Sequence, residues 1–157
     1  MGVYFDYFRA ENDDDAIGTR SRPGGPLADS AAAPFDGVAT KGVFPDPHLE
    51  QLVAHALRVS YERRPPTTRG LWPPPDTPPP TDETSLWLTD PSIERLVTRI
   101  RDVLADIPSE DIARLGEAWA DDVSHPVDEA VRTVAGLTAL ARRARDTGQE
   151  LYCWSSL

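Results

Sequence analysis

The sequence predicts an α+β fold, in which a small sheet containing the N- and C-terminal strands is packed by about four helices and carries a Pro-rich insertion. Three observations predict it. The chain begins and ends with aromatic and β-branched stretches, Val3–Phe8 and Leu151–Trp154, which suit a packed sheet. Apolar residues recur at helical spacing through much of the remaining chain. Eight of the 16 prolines fall within residues 65–80.

Length and cysteine content indicate a single domain without a disulfide bond. A chain of 157 residues fits a single α+β domain over residues 1–157, with residues 65–82 as a Pro-rich loop or flexible insertion within it. The one cysteine, Cys153, excludes an internal disulfide and is typical of a reducing compartment. Neither a signal peptide nor an apolar run of about 18 residues is evident. We therefore expect a cytoplasmic protein.

The charge favours some partners over others. The formal net charge is −10 and the sequence pI is about 4.6, so a phosphate backbone or an anionic lipid surface would repel the chain. We expect no nucleic-acid and no membrane partner, and a basic protein is the partner that the charge fits. A well-solvated surface explains the same charge without any partner.

The opening stretch predicts an interior strand. Alternation places Phe5 and Tyr7 on one face of the strand and Tyr4, Asp6 and Phe8 on the other. Both faces are largely apolar, so the strand belongs inside the sheet, next to the C-terminal strand. Asp6 must then lie at the rim or find a partner, because a lone buried carboxylate is costly.

Capping residues predict two helices in the first half of the chain. Asn12 can cap a short helix that ends near Thr19. Residues 20–34 read as a loop, and residues 35–44 (FDGVATKGVF) as a turn that leads into the next helix. Asp46 caps that helix and Pro47 begins it. Its inward positions are Leu49, Leu52, Val53, Ala56 and Leu57.

The Pro-rich segment predicts a long loop. Consecutive prolines favour extended polyproline II and exclude a helix or a central strand. A loop of this length is usually functional or disordered, and Trp72 can pin it to the body of the protein. Two interpretations stay open, a mobile insertion or a ligand for an aromatic groove of the kind that binds PxxP segments.

The second half predicts a strand and three helices. Ser85–Leu88 indicates a short strand, and Asp90 caps a helix that begins at Pro91. The inward positions of that helix are Ile93, Leu96, Val97, Ile100 and Leu104. After the break at Ile107 and Pro108, Ser109 caps a helix that buries Ile112, Leu115 and Trp119. The last helix follows Pro126, ends at Gly148 and buries Val127, Val131, Val134, Leu137, Thr138 and Ala141.

Three stretches resemble a known family. They are the opening MGxYF, the segment SLWLTDPSIERLVTRI and the end of the last helix, RDTGQELY. They resemble the YfbM-like family of bacterial proteins of unknown function, and related proteins of high-GC soil bacteria that open MGxYFDYF and close LYCW. The resemblance covers the first ten and about the last seventy-five residues and implies a compact α+β fold without a known reaction. The middle of the chain, with PHLEQLVAHAL where the family often has a Trp-containing helix, departs from the pattern, so no shared pocket is implied.

The histidines and the cysteine, which are the residue types that most often bind metals or react, have structural explanations here. His48 and His55 lie on one side of a predicted helix, but a metal site would need a third ligand beside them. His125 would have to come from a distant turn, so we expect histidines at the surface or rim and no metal. Cys153 falls on a buried strand, without the positive, partly exposed setting that a reactive thiol needs. We expect no catalytic residue and no cofactor.

A candidate binding pocket combines aromatic residues of the sheet with isolated polar residues. Buried tyrosine and tryptophan side chains carry polar tips that seek partners. The candidate binding residues are Tyr4, Asp6, Tyr7, Asp36, Lys41, Trp72 and Trp154. A plain aromatic core with satisfied hydroxyl groups is the alternative interpretation.

Two functions fit these residues. We predict a non-catalytic protein-binding domain, an antagonist or immunity-like partner of a basic protein, from the charge, the small size and the lack of a catalytic motif. The alternative is a small-molecule-binding domain, or an enzyme, that uses the aromatic-lined pocket and Asp6. A small-molecule ligand is therefore not excluded.

Overall fold

The computed structural model describes residues 3–29, 33–61, 67–79 and 81–156. Within these residues the chain forms one antiparallel sheet of five strands, β1 Tyr4–Ala10, β2 Gly37–Lys41, β3 Thr68–Trp72, β4 Ser92–Leu96 and β5 Glu150–Ser156. The helices in the same residues are α1 Asp13–Gly18, α2 Glu50–Leu57, α3 Leu86–Thr89, α4 Thr98–Ala105, α5 Ile112–Val123 and α6 Val127–Asp146. The predicted α+β class is confirmed.

The two chain ends form the centre of the sheet. The strand order is β2-β1-β5-β4-β3, so β1 and β5 are neighbours and β2 and β3 are the edges. Asp6 of β1 lies opposite Trp154 of β5, and Tyr7 lies opposite Cys153. The helix α6 packs on β1, β2 and β5. The predicted pairing of the terminal strands beneath the last helix is confirmed.

Helices cover one face of the sheet. Phe5 and Tyr7 of β1, together with Leu151 and Cys153 of β5, point into this face and are buried. Their cover comes from α2, α4, α5 and α6, four of the six α-helices in the described residues, where the sequence predicted about four helices in all. The main buried residues of these helices are Leu52, Val53, Ile100, Leu104, Leu115, Trp119, Val134, Leu137 and Ala141. We call this the helix-covered face.

The short helix α1 and the loop that follows it cover the opposite face. Phe8, Ile93, Tyr152 and Trp154 are buried there in a smaller cluster, together with Ala10 and Ala16. Four partly buried side chains pack against the cluster, namely Leu27, Phe35, Leu71 and Trp72. We call this the loop-covered face. Residues 30–32 of the predicted loop lie outside the described residues.

The predicted helix-end signals at Asn12 and Gly148 are observed, whereas the predicted caps Asp46, Asp90 and Ser109 are not the N-caps of the helices that follow them. The Asn12 side chain accepts a hydrogen bond of 2.9 Å from the Asp15 backbone N–H, as an N-cap does. Gly148 follows α6 in the left-handed region, with φ of +68°, where a glycine stop is expected. Val127 at the start of α6 and Leu57 at the end of α2 are exposed, because the last turn at each end projects past the core.

Four assignments from the sequence are wrong. The turn predicted for residues 35–44 contains β2, which pairs with β1. The strand predicted for Ser85–Leu88 is the short helix α3, and the helix predicted to begin at Pro91 starts as β4, so that α4 begins only at Thr98. The helix predicted to begin at Pro47 begins at Glu50, after one wide turn, Pro45–Leu49, in which Asp46 is extended.

The flexible Pro-rich insertion is not confirmed. Thr68–Trp72 forms β3 and pairs with β4 at the edge of the sheet, a position that neighbouring prolines permit. Residues 65, 66 and 80 of the predicted insertion lie outside the described residues. Among the residues that the structure describes, no helix has both the length and the apolar character needed to cross a membrane.

Candidate functional site

Asp6 and Trp154 meet on the loop-covered face. Gly25 of the covering loop lies over both, since a Cβ atom there would come within 3.1 Å of Asp6 Oδ2 and of Trp154 Cζ3. Its φ of +87° lies in the left-handed region that favours glycine. Asp6 is 7% exposed and Trp154 is 8% exposed. The loop therefore closes the approach to both side chains.

The polar atoms of this pair have few partners. Burial raises the pKa of Asp6 to about 6, because the charged carboxylate loses its hydration. The Trp154 Nε1 group is buried and has no hydrogen-bond partner within the described residues. A carboxyl group with a pKa near neutrality can exchange a proton with solvent, but here it lies beneath a loop. The direct consequence of this arrangement is an effect on stability.

Two other predicted residues, Tyr7 and Asp36, lie elsewhere. Tyr7 is fully buried on the helix-covered face, and its hydroxyl donates a hydrogen bond of 2.7 Å to the Val43 carbonyl. Asp36 accepts hydrogen bonds of 2.7 Å from Arg143 and from Arg9, and those to Arg143 are the largest cause of its lowered pKa. Both contacts hold chain segments together.

Trp72 lies on the loop-covered face, in the same row as Trp154. It is opposite Ile93 of β4, which in turn is opposite Trp154. Its Nε1 group donates a hydrogen bond of 2.9 Å to Asp90, and the Arg20 guanidinium lies 4.0 Å from the ring centroid. These contacts pin the Pro-rich segment to the sheet, as the sequence suggested.

Tyr4 and Lys41 line a cleft at the edge of the sheet. The two residues are opposite each other on β1 and β2. The cleft measures 380 Å³. Its second wall is formed by the start of α6 and the turn before it, namely by His125, Glu129, Arg132 and Thr133. The predicted binding residues therefore fall into separate places, and only Tyr4 and Lys41 share this cleft.

The histidines make separate contacts. His48 Nδ1 accepts a hydrogen bond of 3.2 Å from the Phe44 backbone N–H, and burial is the main cause of its lowered pKa. His55 Nε2 lies 2.8 Å from Asp122 Oδ2. Over the described part of the chain, no group of three or more His, Cys, Asp or Glu residues is arranged to hold a metal ion.

The cysteine is a core residue, as predicted. Cys153 is 2% exposed on the helix-covered face, directly opposite Tyr7. Burial raises the pKa of its thiol well above the usual value. The thiolate that a nucleophile or redox site requires is therefore disfavoured.

An exposed apolar surface lies around α3. Trp87 is 41% exposed and Leu88 is 53% exposed. Both line a cleft of 280 Å³ whose other wall includes Val3 and the end of β5 at Ser155 and Ser156. The neighbouring acidic residues are Asp82, Glu83 and Asp90. We call these five residues, Trp87, Leu88, Asp82, Glu83 and Asp90, the acidic–aromatic surface.

The sequence interpretation did not identify this surface. It placed Ser85–Leu88 in a strand, where Trp87 would pack inside the sheet. A signal was present in the composition, because residues 73–91 contain four acidic residues and no lysine, arginine or histidine. Large apolar residues in so acidic a stretch are a poor match for a buried strand.

Comparisons with known proteins add no relative. No family model matches the chain, and no curated protein and no solved structure matches it either. The resemblance to the YfbM-like family stays a prediction, and the function must be inferred from the geometry described above.

Proposed function

We propose that this protein is a non-catalytic binding protein that docks a basic segment of a partner protein on the acidic–aromatic surface. The observation that carries the proposal is the pair of exposed apolar side chains, Trp87 and Leu88, beside a cleft in a stretch with only negative charge. Tryptophan is enriched among the residues that dominate binding energy at protein interfaces. An acidic rim around such an anchor fits a partner with lysine and arginine near an apolar residue.

The anchor is held in position before binding. Trp87 Nε1 donates a hydrogen bond of 2.9 Å to the Pro78 carbonyl. At the other end of the segment, Asp90 accepts the hydrogen bond from Trp72, which is packed on the sheet. A side chain that is already fixed loses less conformational entropy when a partner binds. These contacts support a role for the segment as a preformed docking surface.

The negative charge of the surface is also fixed. Thr84 donates two hydrogen bonds to Asp82, from its backbone N–H at 2.9 Å and from its hydroxyl at 2.6 Å. The side-chain bond is the largest cause of the lowered pKa of Asp82, so its charge persists in mildly acid solution. The formal net charge of −10 extends the attraction for a basic partner over a longer range. An antagonist or immunity-like role in the cytoplasm fits these properties and the single cysteine.

Peptide selection tests the proposal without knowledge of the natural partner. A display library of random peptides is selected against the immobilised protein, and the affinity of the selected peptides is measured by calorimetry at low and high salt. We expect basic peptides with an apolar anchor, bound less tightly at high salt. Trp87→Ser should weaken their binding by roughly thirty-fold, about 2 kcal/mol, as for an interface anchor.

A matched control is available on α2. Leu57 is 42% exposed and lies outside the acidic–aromatic surface, so Leu57→Ser removes a comparable exposed apolar side chain. We expect this variant to bind the selected peptides as the wild type does. Peptides without a basic preference, or equal losses in the two variants, would contradict the proposal.

A further inference from the structure

The cleft between β2 and α6 has the size and lining of a small-molecule site. Its volume of 380 Å³ lies within the range of about 300–1,000 Å³ that is typical of such sites. Val38 and Ala39 of the edge strand contribute apolar lining, and Tyr4, which also lines the cleft, has 58% of its surface exposed. Polar groups line both sides of the cleft, with Lys41 on the edge strand and the others where α6 begins.

Lys41 is an unusual residue for this chain. It is the only lysine among the 16 basic residues, and the other 15 are arginines. It is exposed on the edge strand opposite Tyr4, and within the described residues it makes no ion pair. In a chain with a net charge of −10, a cation without a carboxylate partner at the mouth of a cleft is available to a ligand.

Arg132 supplies a second cation to the same cleft. Its guanidinium lies 2.9 Å from Asp128, and both side chains are largely exposed. Exposed ion pairs of this kind contribute little to stability, so Arg132 can exchange Asp128 for a ligand. A planar guanidinium is well suited to a carboxylate or phosphate group, which it can bind through two parallel hydrogen bonds.

His125 adds a polar atom that lacks a partner. It lies in the turn between α5 and α6, where its backbone N–H donates a hydrogen bond of 3.1 Å to Ala120. Its Nδ1 atom is buried and has no hydrogen bond within the described residues, and Glu129 Oε1 is 3.5 Å away. Buried polar atoms normally have a partner, so this atom marks a position that a ligand or a water molecule can satisfy.

We propose that this cleft binds a small organic anion that has one carboxylate or phosphate group on an aromatic or apolar body. Lys41 and Arg132 hold the anionic group, and the body lies against Tyr4, Val38 and Ala39. The Glu129 carboxylate in the wall disfavours a second anionic group on the body of the ligand. This site is separate from the acidic–aromatic surface, and its occupation does not depend on a protein partner.

Titrations observed by two-dimensional ¹⁵N NMR test the proposal on the full chain. The probes are phenyl phosphate, phenylacetate, inorganic phosphate and the neutral phenylacetamide. We expect saturable shifts of amides in residues 38–41 and 125–133 with at least one of the two aromatic anions, and none with phenylacetamide. The affinity for phenyl phosphate and for phenylacetate distinguishes a phosphate from a carboxylate ligand. Tighter binding of phenyl phosphate than of inorganic phosphate, or saturable binding of phenylacetate, supports the apolar part of the site.

Two variants with the same change in net charge serve as a pair. Lys41→Gln should weaken binding of the preferred aromatic anion by roughly ten- to hundred-fold, as expected for the loss of a hydrogen bond to a charged group. Arg114→Gln removes an exposed arginine of α5 that pairs with Asp111, outside the cleft, and should leave the affinity unchanged. The proposal is overturned if neither aromatic anion gives saturable shifts, or if Arg114→Gln weakens binding as much as Lys41→Gln does. Thermal unfolding of both variants checks that each is folded.

Discussion

The two faces of the sheet bury similar aromatic side chains, but they differ in the hydrogen-bond partners of the polar atoms on those side chains. On the helix-covered face, the Tyr7 hydroxyl donates to the Val43 carbonyl at 2.7 Å and Trp119 Nε1 donates to the His48 carbonyl at 2.8 Å. On the loop-covered face, the Tyr152 hydroxyl donates to Asp13 at 2.9 Å, but Trp154 Nε1 has no partner within the described residues. The Thr138 hydroxyl on α6 is an exception on the helix-covered face, where it too is buried without a partner in the described chain.

The difference follows from what covers each face. Helices present apolar side chains at regular spacing, and their own backbone groups are already hydrogen-bonded. The loop brings the backbone of Gly25 onto Asp6 and Trp154, and no donor in the described residues is placed to satisfy the carboxylate. We infer that most of the stability comes from the helix-covered face and that buried polar groups on the other face reduce it.

A matched pair of leucine substitutions gives the largest expected contrast. Leu137 of α6 is buried on the helix-covered face, and Leu27 is partly buried in the loop on the opposite face. Leu137→Ala should lower the free energy of unfolding by about 2–5 kcal/mol, because it removes buried surface and leaves a cavity. Leu27→Ala should cost about 1 kcal/mol, because less surface is lost and the loop can adjust. Urea unfolding measures both changes, and equal losses would mean that the two faces contribute alike.

The pH dependence of stability that comes from Asp6 should be a smaller effect on the free energy of unfolding than Leu137→Ala. The pKa of Asp6 is raised by burial from 3.8 to about 6, so between these values the folded protein binds more protons than the unfolded chain. The contribution of this group to stability is therefore most favourable below about pH 4 and is lost as the pH rises through about 6. Asp6→Asn should raise the free energy of unfolding by roughly 1–3 kcal/mol at pH 7, and by much less at pH 4.

The control for this series is an exposed aspartate. Asp121 lies at the surface of α5, and Asp121→Asn removes the same charge without affecting the loop-covered face. We expect its stability to follow the pH dependence of the wild type. A wild-type curve that stays parallel to that of Asp6→Asn from pH 4 to 7 would show that the carboxyl group of Asp6 does not reduce stability.

The parts of the fold with a clear apolar period could be predicted from the sequence. The stretches that became β1 and β5 have the aromatic composition of a packed strand, and α6 follows the helical apolar period. The helix predicted from Pro91 was wrong because Ile93, Leu96 and Ile100 keep helical spacing across a strand–helix boundary. In the structure Ile93 and Leu96 lie on opposite faces of the sheet, because they are three residues apart on β4 and side chains along a strand alternate between its faces.

Edge strands carried weaker signals. The strand β2 contains only five residues, between Asp36 and Gly42, and forms because the outer edge of β1 offers hydrogen bonds. The strand β3 lies among prolines, which suggested a loop throughout. Pairing of this kind depends on residues that are distant in sequence, so local propensity cannot reveal it.

The candidate sites were predictable only in part. The sequence identified Tyr4, Lys41, Asp6 and Trp154 as polar or aromatic residues of the sheet, but not which of them share a cleft. Strand register decides that, since a residue and its neighbour in sequence face opposite sides. Trp87 was missed because its exposure depends on α3, which the sequence interpretation placed in a strand.

The difference between the two buried tryptophans tests the central claim most directly. Trp119→Phe and Trp154→Phe remove the same group, but only the first breaks a hydrogen bond and takes the tryptophan donor from a partly buried carbonyl, that of His48. Equilibrium unfolding in urea should show that Trp119→Phe costs about 1–2 kcal/mol more than Trp154→Phe. Equal costs, or a larger cost for Trp154→Phe, would contradict the claim that the hydrogen bond of Trp119 stabilises the helix-covered face while the buried Trp154 Nε1 group, without a partner in the described residues, contributes no such stabilisation to the loop-covered face.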